Sequence, residues 1–277
     1  DELAETLIAQ GVFVQACHAE AGHGQVEMVI RHRDVLGAAD QQLVFRETAR
    51  EISERHGKTA TFLPVVFEHF AGTGCHVHFS ITRDGENLIP DHDHPHQLSE
   101  TGRRFLSGVY HHLPALMGIV APTTNSYRRL QPGMWSGSIQ CWGYDNKEAP
   151  LRVPTSLEPP SPTNIELKTN DQAANPYLTL GAIIAAGMHG LDEDLPLPAS
   201  TDVDPNVLTD QDLAEQGLSV LPRDLTTSLN NLEADVTLME AMGPVLSKAY
   251  LAVKRCELQE QDGWPFEAEV NWLLTAF

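Results

Sequence analysis

Two histidines and a serine follow a pair of glycines in the segment Gly72–Ser80, which reads GTGCHVHFS. Side chains of a strand point alternately to opposite faces, so His76, His78 and Ser80 share one face. Glycine permits a close backbone approach or a left-handed turn. The segment therefore predicts a tight turn that delivers two imidazoles and a hydroxyl into one cavity. Histidines at this spacing are also common on exposed strands, so the interpretation depends on charged residues elsewhere.

Acidic residues that could converge on the histidines occur in two places. Glu20 and Glu27 flank a glycine-rich turn between predicted strands at 12–20 and 25–30, and the two carboxylates could face one cavity of that hairpin. Glu166 lies on a predicted strand with Lys168 on the same face. Carboxylates in such a setting suit hard divalent cations.

A long segment, residues 122–150, is rich in proline, glycine, aromatic and charged residues. Segments of this length without regular structure are usually functional or disordered, and the aromatic residues argue against disorder. Arg129, Trp135 and Lys147 fall within it. We therefore expect this segment to contribute to a site.

The scaffold that must position these residues is a mixture of helices and strands. Apolar periodicity and capping residues predict the helices, including an Asn175 N-cap followed by Pro176. Strands are predicted at 59–66, 139–143, 150–153 and 164–168. The predicted helices are 2–10, 34–56, 99–117, 175–190, 209–217, 223–242, 244–257 and 265–276. The histidine-rich stretch at 91–96 is interpreted as a polar loop and not as a dedicated metal site.

Composition excludes several classes of protein. The 277 residues include 18 Lys and Arg against 38 Asp and Glu, a net charge of −20, which lacks the basic surface of a nucleic-acid binder. No apolar run approaches the roughly 18 residues of a membrane-spanning helix. The 4 cysteines form no C-x-x-C pair and indicate reduced thiols and a cytoplasmic location. The absence of an initiator methionine suggests a truncated or processed chain.

Six motifs in order resemble the catalytic domain of glutamine synthetases and their γ-glutamyl-amine ligase relatives. Together they cover almost the whole chain. They are Glu20 and Glu27 around the turn, the 72–80 segment, NSYRRLQPG at 125–133, Lys147 with Arg152 and Pro154, IELK at 165–168 and ANPY at 174–177. The resemblance implies an α+β fold, with a curved antiparallel sheet forming a half-barrel backed by helices, and a single domain over residues 1–277.

The resemblance also implies a reaction in two steps. ATP phosphorylates the side-chain carboxylate of glutamate, and ammonia or an amine then displaces phosphate. Phosphoryl transfer needs metal ions that bridge phosphate oxygens and cations that neutralise developing charge. We expect two or more Mg²⁺ or Mn²⁺ ions in each site. Glutamate, ATP and an amine are the expected partners, with no nucleic acid and no membrane.

Four residues would bind metal by this resemblance. Glu20 and Glu27 would hold the ion near glutamate, whereas His76 and Glu166 would hold the ion that bridges the ATP phosphates. The alternative is that Glu20 and Glu27 are surface carboxylates of the hairpin and that Glu166 lies on a solvated strand face.

His78 and Ser80 would lie towards the nucleotide, although both also fit ordinary strand positions.

Basic residues complete the expected site. Arg129 would hold the glutamate carboxylate, near a Gly72 whose backbone approaches the amino acid, and Lys168 would orient glutamate. Arg152 and Lys147 would bind the ATP phosphates. Arg129 and Lys147 are the expected catalytic residues, and surface ion pairs are the alternative role for the two arginines.

Two departures from the family pattern concern the upstream part of the protein. The family carries further metal-binding glutamates on a strand that would precede this chain, after a small N-terminal β domain that completes a neighbouring subunit's site. The chain is therefore expected to be a catalytic-domain fragment with weak or no activity by itself. The full-length protein would be a homo-oligomer.

Other departures concern the acceptor. Trp135 stands where ammonia-using enzymes place a glutamate that takes a proton from ammonium, and a large ring could stack on an organic amine or cover the pocket. Lys147 and Lys168 replace arginines, which keeps the charge but loses the bidentate fork. The chain could therefore be a ligase for a larger amine. An inactive regulatory relative is the non-enzyme alternative, and the presence of the metal-binding residues argues against it.

Overall fold

A computed structural model describes residues 2–91, 93, 98–155 and 161–274. His92, His94 and His96 of the polar stretch lie outside the described residues, as does the middle of the proline-rich segment at 156–160. The helices are α1 Glu2–Ala9, α2 Val35–Arg55, α3 Glu100–Val120, α4 Ser126–Arg129, α5 Pro176–Asp192, α6 Asp210–Gln216, α7 Leu225–Ala234, α8 Val236–Glu260 and α9 Phe266–Leu273.

The strands are short and form small open sheets. They are β1 Val14–Ala19, β2 Val26–Ile30, β3 Val77–Phe79, β4 Thr82–Arg83, β5 Glu86–Asn87, β6 Ile139–Gln140, β7 Trp142–Tyr144, β8 Leu151–Val153, β9 Ile165–Leu167 and β10 Ser219–Val220. Strands β1 and β2 pair as the predicted hairpin, and the main sheet has the order β3-β9-β8-β7. The expected α+β class is confirmed.

The resemblance implies an antiparallel sheet, but one pair of strands in the main sheet is parallel. Strands β7 and β8 run parallel, with Trp142 opposite Leu151. Asp145 adopts a left-handed φ of 51° at the end of β7, and its N–H donates to the Val153 carbonyl. The chain between the two strands folds tightly around Asn146, whose side-chain and backbone oxygens accept the N–H groups of Glu148 and Ala149.

The prediction of a strand at 59–66 is wrong. This segment is irregular, although Leu63 and Val65 are buried as the apolar pattern required. The side chain of Asn125 accepts the Val65 N–H at 2.7 Å and donates to the Val65 carbonyl at 3.0 Å. A side-chain amide thus satisfies the buried backbone groups that a neighbouring strand would otherwise pair with.

Helix α3 is the centre of the main hydrophobic core. Ser99 caps its N-terminus by accepting the Gly102 N–H, and the predicted apolar face is buried together with most of the helix's second half. Pro114 lies inside the helix, which continues to Val120 instead of ending near Met117. The main sheet and α5, α7 and α8 pack around this core.

Glycines bring α3 and α5 unusually close. A Cβ placed on Gly108 would lie 2.1 Å from the Ala186 carbonyl oxygen, and one on Gly190 would lie 2.5 Å from the Gly108 nitrogen. The two backbones therefore touch where they cross, and a side chain at either position would have to displace main-chain atoms.

The C-terminal helices differ from the prediction mainly in where one helix is divided. The helix predicted at 223–242 is divided at Asp235, whose side chain accepts the Leu238 N–H and so caps α8. The predicted break after 242 is confirmed, because Gly243 within α8 has a non-helical backbone with φ 73° and ψ 161°. Among the described helices, none combines the length and apolar character needed to cross a bilayer.

Candidate active site

The β1–β2 hairpin brings its two glutamates together, as predicted, and adds a histidine. His18 lies opposite Glu27 in the strand register, and Glu20 follows two residues after His18. His18 Nε2 is 3.2 Å from Glu20 Oε1 and 3.8 Å from Glu27 Oε2. One potential ligand atom from each residue lies within 4.8 Å of the others. The prediction missed His18, although its alternation with Glu20 could have indicated it.

The Glu27 carboxyl group has a raised pKa. Partial burial raises its pKa, the charge of His18 opposes that shift, and the nearby carboxylates of Glu20 and Glu166 raise it further. Like charges held close together favour a proton or a cation between them.

Glu166 is the centre of the second cluster. It lies on β9, opposite His78 of β3 on one side and Arg152 of β8 on the other. Its side chain is only 2% exposed and has cationic or imidazole neighbours on both oxygens. Oε1 is 3.1 Å from His76 Nδ1, 3.5 Å from His78 Nε2 and 3.7 Å from Lys168 Nζ, and Oε2 accepts from Arg152 Nε at 2.5 Å.

The charges of this cluster are strongly coupled. Burial opposes ionisation of Glu166, but hydrogen bonds from His76 and His78 and the charge of Lys168 outweigh it and hold the Glu166 pKa far below its usual range. Burial lowers the pKa of Lys168 despite the opposing attraction of Glu166. Glu166 is therefore an anion in a low-dielectric setting, surrounded by nitrogen donors.

The two histidines of the opening segment respond differently to burial. For His76, burial lowers the pKa more than Glu166 raises it. For His78, burial also acts to lower the pKa, but hydrogen bonds to Glu166 and Asn164 and the charge of Glu166 raise it overall. His76 is thus the better neutral imidazole, which is the form that binds a metal ion.

These residues fit divalent cations by donor type. The hairpin offers two carboxylates and an imidazole, and the sheet offers Glu166 with His76. Such oxygen and imidazole sets suit Mg²⁺ or Mn²⁺, with imidazole favouring Mn²⁺.

Arg129 is buried beneath the glycine-rich turn. Its terminal nitrogens donate to the carbonyl oxygens of Lys168, Thr169 and Asn170, at 2.7 Å for Thr169. A Cβ on Gly72 would lie 2.6 Å from Arg129 Cγ, which explains why the turn uses glycine there. Among the described residues, Arg129 Nε is a buried donor with no hydrogen-bond partner.

Asp171 is a buried acid near Arg129 that the prediction did not single out. Its carboxyl is 1% exposed, and one oxygen accepts the Ala173 N–H. Burial raises its pKa to about 6, although the charge of Arg129 and hydrogen bonding oppose the shift. Nothing in the local sequence pattern distinguishes Asp171 from an ordinary turn residue.

Residues 131–138 form a segment that we call the flap. Trp135 projects from it with 58% of its surface exposed, and Lys147 Nζ lies 4.8 Å from the centre of the indole ring. The predicted amine-binding ring and the predicted phosphate-binding lysine are therefore in contact with each other. Ser80 is exposed just beyond β3.

Comparison with known proteins points to one family. The sequence profile of the family described as "Glutamine synthetase, catalytic domain" matches residues 1–273. The chain is 38% identical to the gamma-glutamylpolyamine synthetase GlnA3 of Streptomyces coelicolor over 95% of its length. It is 34% identical to a glutamine synthetase of Halobacterium salinarum over 100% of its length.

Solved structures of similar fold point to the same family. A structure described as a GmaS/ADP complex has a TM-score of 0.86 and 32% identity and covers 99% of the chain. A structure described as a novel glutamine synthase homolog has a TM-score of 0.87 at 30% identity. The chain spans 57% and 61% of the lengths of the two curated relatives, and 63% and 62% of the two solved chains. The resemblance predicted from the motifs is confirmed.

Proposed function

The chain belongs to the glutamine synthetase catalytic-domain family, and from that premise we propose that it is part of an ATP-dependent ligase. In the proposed reaction the γ-carboxylate of glutamate attacks the terminal phosphate of ATP, which releases ADP and forms an acyl phosphate. The amine nitrogen then attacks the acyl carbon, phosphate leaves, and the amine loses a proton to give the amide. The observation that carries the proposal is the convergence of His76, Arg152 and Lys168 on the buried carboxylate of Glu166.

Metal ions would be held in two places. The hairpin group of His18, Glu20 and Glu27 would hold an ion near glutamate, and His76 with Glu166 would hold an ion near the ATP phosphates. Bound there, such ions supply positive charge to the transferring phosphoryl group. Upstream residues of a longer protein would complete both sites.

The basic residues would neutralise charge around the phosphates. Arg152 and Lys147 would bind the phosphates of ATP, with Lys147 leaving the Trp135 ring to do so, and His78 and Ser80 would border the nucleotide. Arg129 and Lys168 would orient glutamate beside Gly72. Arg129 contributes through its free Nε and its charge, because its terminal nitrogens already bind carbonyl oxygens.

An organic amine is the acceptor that the flap favours. Trp135 offers an exposed indole face, and the ammonium of Lys147 already lies over that face at 4.8 Å. The same face can accept an organic ammonium once Lys147 has moved to a phosphate, since cations bind indole rings by electrostatic attraction. The ammonium ion shares that attraction, but only an organic amine adds apolar contact between its carbon chain and the ring.

The test is phosphate release from ATP in the presence of glutamate and a panel of acceptors, measured on the longer protein that contains this chain. The panel consists of ammonia, short monoamines and polyamines. We expect release that requires glutamate and is faster with an organic amine than with ammonia. Equal or better turnover with ammonia alone would exclude the organic-amine acceptor, and no turnover with any acceptor would exclude the ligase.

We also propose the setting in which the ligase works. All 4 cysteines are unpaired, which agrees with the reducing cytoplasm where ATP is available. The longer protein would be a homo-oligomer, with residues 1–277 forming one catalytic domain. Size-exclusion chromatography with light scattering tests the oligomeric state.

A further inference from the structure

Trp135 has a backbone conformation that needs an external cause. Its φ of 52° lies in the left-handed region, which large side chains rarely adopt. The indole is mostly exposed, so core packing does not impose this conformation. Its backbone N–H, however, donates to Glu148 Oε1 at 3.2 Å. A residue held in such a conformation usually marks a site where position matters.

Glu148 is well placed to hold the flap. Its side chain is nearly buried, and its second oxygen, Oε2, accepts from Asn206 Nδ2 at 2.9 Å. Asn206 Oδ1 in turn accepts from Ser138 Oγ at 2.9 Å. Trp135, Glu148, Asn206 and Ser138 thus form a closed ring that fixes the flap at its middle and its end.

The same short segment connects the flap to the charged cluster. Two residues beyond Glu148, the Pro150 carbonyl accepts the Lys168 N–H at 2.9 Å. Arg152 follows and binds Glu166. A shift of Glu148 would therefore move Trp135 relative to the residues proposed to bind glutamate and phosphate.

We infer that Glu148 is a positioning residue, which holds the exposed ring of Trp135 where it can contact the acceptor and so determines the affinity for the organic amine. This inference rests on the proposed function. A carboxylate is required because both of its partners, the Trp135 N–H and the Asn206 amide nitrogen, are donors. Asp204 Oδ1 also accepts from Asn206 Nδ2 at 2.9 Å, which keeps the amide from turning over.

The decisive variant is Glu148→Gln, which keeps the shape but sets an NH₂ group against one of the two donors. On the longer protein, we expect the KM for the organic amine to rise about tenfold, the loss associated with one charged hydrogen bond. The KM values for ATP and glutamate should stay within about twofold. Glu240→Gln, an exposed glutamate on α8, is the matched control and should behave as wild type.

A second readout does not depend on catalysis. The fluorescence difference between each protein and its Trp135→Phe counterpart isolates the signal of this ring from those of the other tryptophans. Acrylamide should quench that signal more strongly in Glu148→Gln than in the parent, because the flap is released. If no acceptor supports turnover, the ligase proposal fails, whereas the quenching still decides whether Glu148 holds Trp135.

Asn206→Ala provides a second route if Glu148→Gln folds poorly. It removes the partner of Glu148 Oε2 and should change quenching and amine KM in the same direction by a smaller factor. Unchanged quenching and amine KM in both variants would overturn the inference. Equal increases in the KM for amine, ATP and glutamate would also overturn it, since they would indicate a general structural role.

Discussion

At the scale of single residues, Glu166 concentrates most of the chemistry. Its carboxylate has His76 and Lys168 on one oxygen and Arg152 on the other. Arg152 lies on β8, whereas His76 immediately precedes β3 and Lys168 immediately follows β9. Removing one partner of a buried ionic group leaves the others without compensation. The same anion therefore serves both stability and the proposed metal site.

We predict that Glu166→Gln lowers the free energy of unfolding at pH 7 by about 3 kcal/mol, because Arg152 and Lys168 lose their counter-charge. The depressed pKa of Glu166 means that its contribution is present above the unfolded-state pKa of about 4.3 and is lost as pH falls. In the variant, the free energy of unfolding should accordingly fall less steeply as pH decreases. Urea unfolding measured from pH 3 to pH 7 checks both effects, and Glu240→Gln should leave them unchanged.

Asp171 has the opposite effect on the pH dependence of stability. Its native pKa of about 6 exceeds the value of about 3.9 expected in the unfolded chain, so between these values the native state binds the extra proton. The free energy of unfolding should therefore fall by about 3 kcal/mol as pH rises from about 4 to about 6.

Asp171→Asn should remove that pH dependence and stabilise the protein at pH 7, since the amide is neutral and its oxygen can still accept the Ala173 N–H. Urea unfolding at pH 4 and pH 7 measures the difference. Parallel pH profiles for the two proteins would contradict the assignment.

At the scale of elements, the crossing of α3 and α5 depends on glycines that touch the opposite backbone. We predict that Gly108→Ala destabilises the protein by about 3 kcal/mol, because the new Cβ would meet the Ala186 carbonyl oxygen, which cannot move without shifting α5. Thermal or urea unfolding measures the loss.

Gly181→Ala is the matched control on α5. A Cβ there meets no atom within 4 Å, so the substitution should be neutral or stabilise the helix by up to about 1 kcal/mol. Similar destabilisation by both variants would mean that the close crossing at Gly108 does not explain the effect.

At the scale of the whole molecule, a net charge of −20 and the paired carboxylates of the β1–β2 hairpin make cations a general stabilising influence. Sodium chloride screens the repulsion between surface charges without selecting a site. A divalent ion that binds only the native state adds stability by mass action.

We predict that MnCl₂ raises the Tm by about 5 °C beyond NaCl of equal ionic strength, which corresponds to a metal concentration about 100 times the Kd. The double substitution Glu20→Gln and Glu27→Gln should remove most of this increase in Tm, and His18→Ala should remove part of it. Scanning calorimetry measures the shifts. Equal Tm values in the two salts would exclude metal binding by this chain.

The sequence determined the family, the α+β class and most helix boundaries, because these depend on local information. Capping residues such as Ser99 and Asn175 start helices through their own side chains, and alternation on β1 and β3 assigns residues to a face. Six motifs in order carried the family resemblance, and with it came Glu20, Glu27 and Glu166 as candidate residues.

Only the tertiary structure decided which residues contact one another and which are buried with perturbed pKa values. The irregular course of 59–66 depends on Asn125, which is distant in sequence, and the buried acid at Asp171 depends on surroundings that no local pattern encodes. The contact of Lys147 with Trp135 and the hold of Glu148 on the flap likewise require packing between segments. Local patterns specify faces and ends of elements, whereas burial and partner choice arise from long-range contacts.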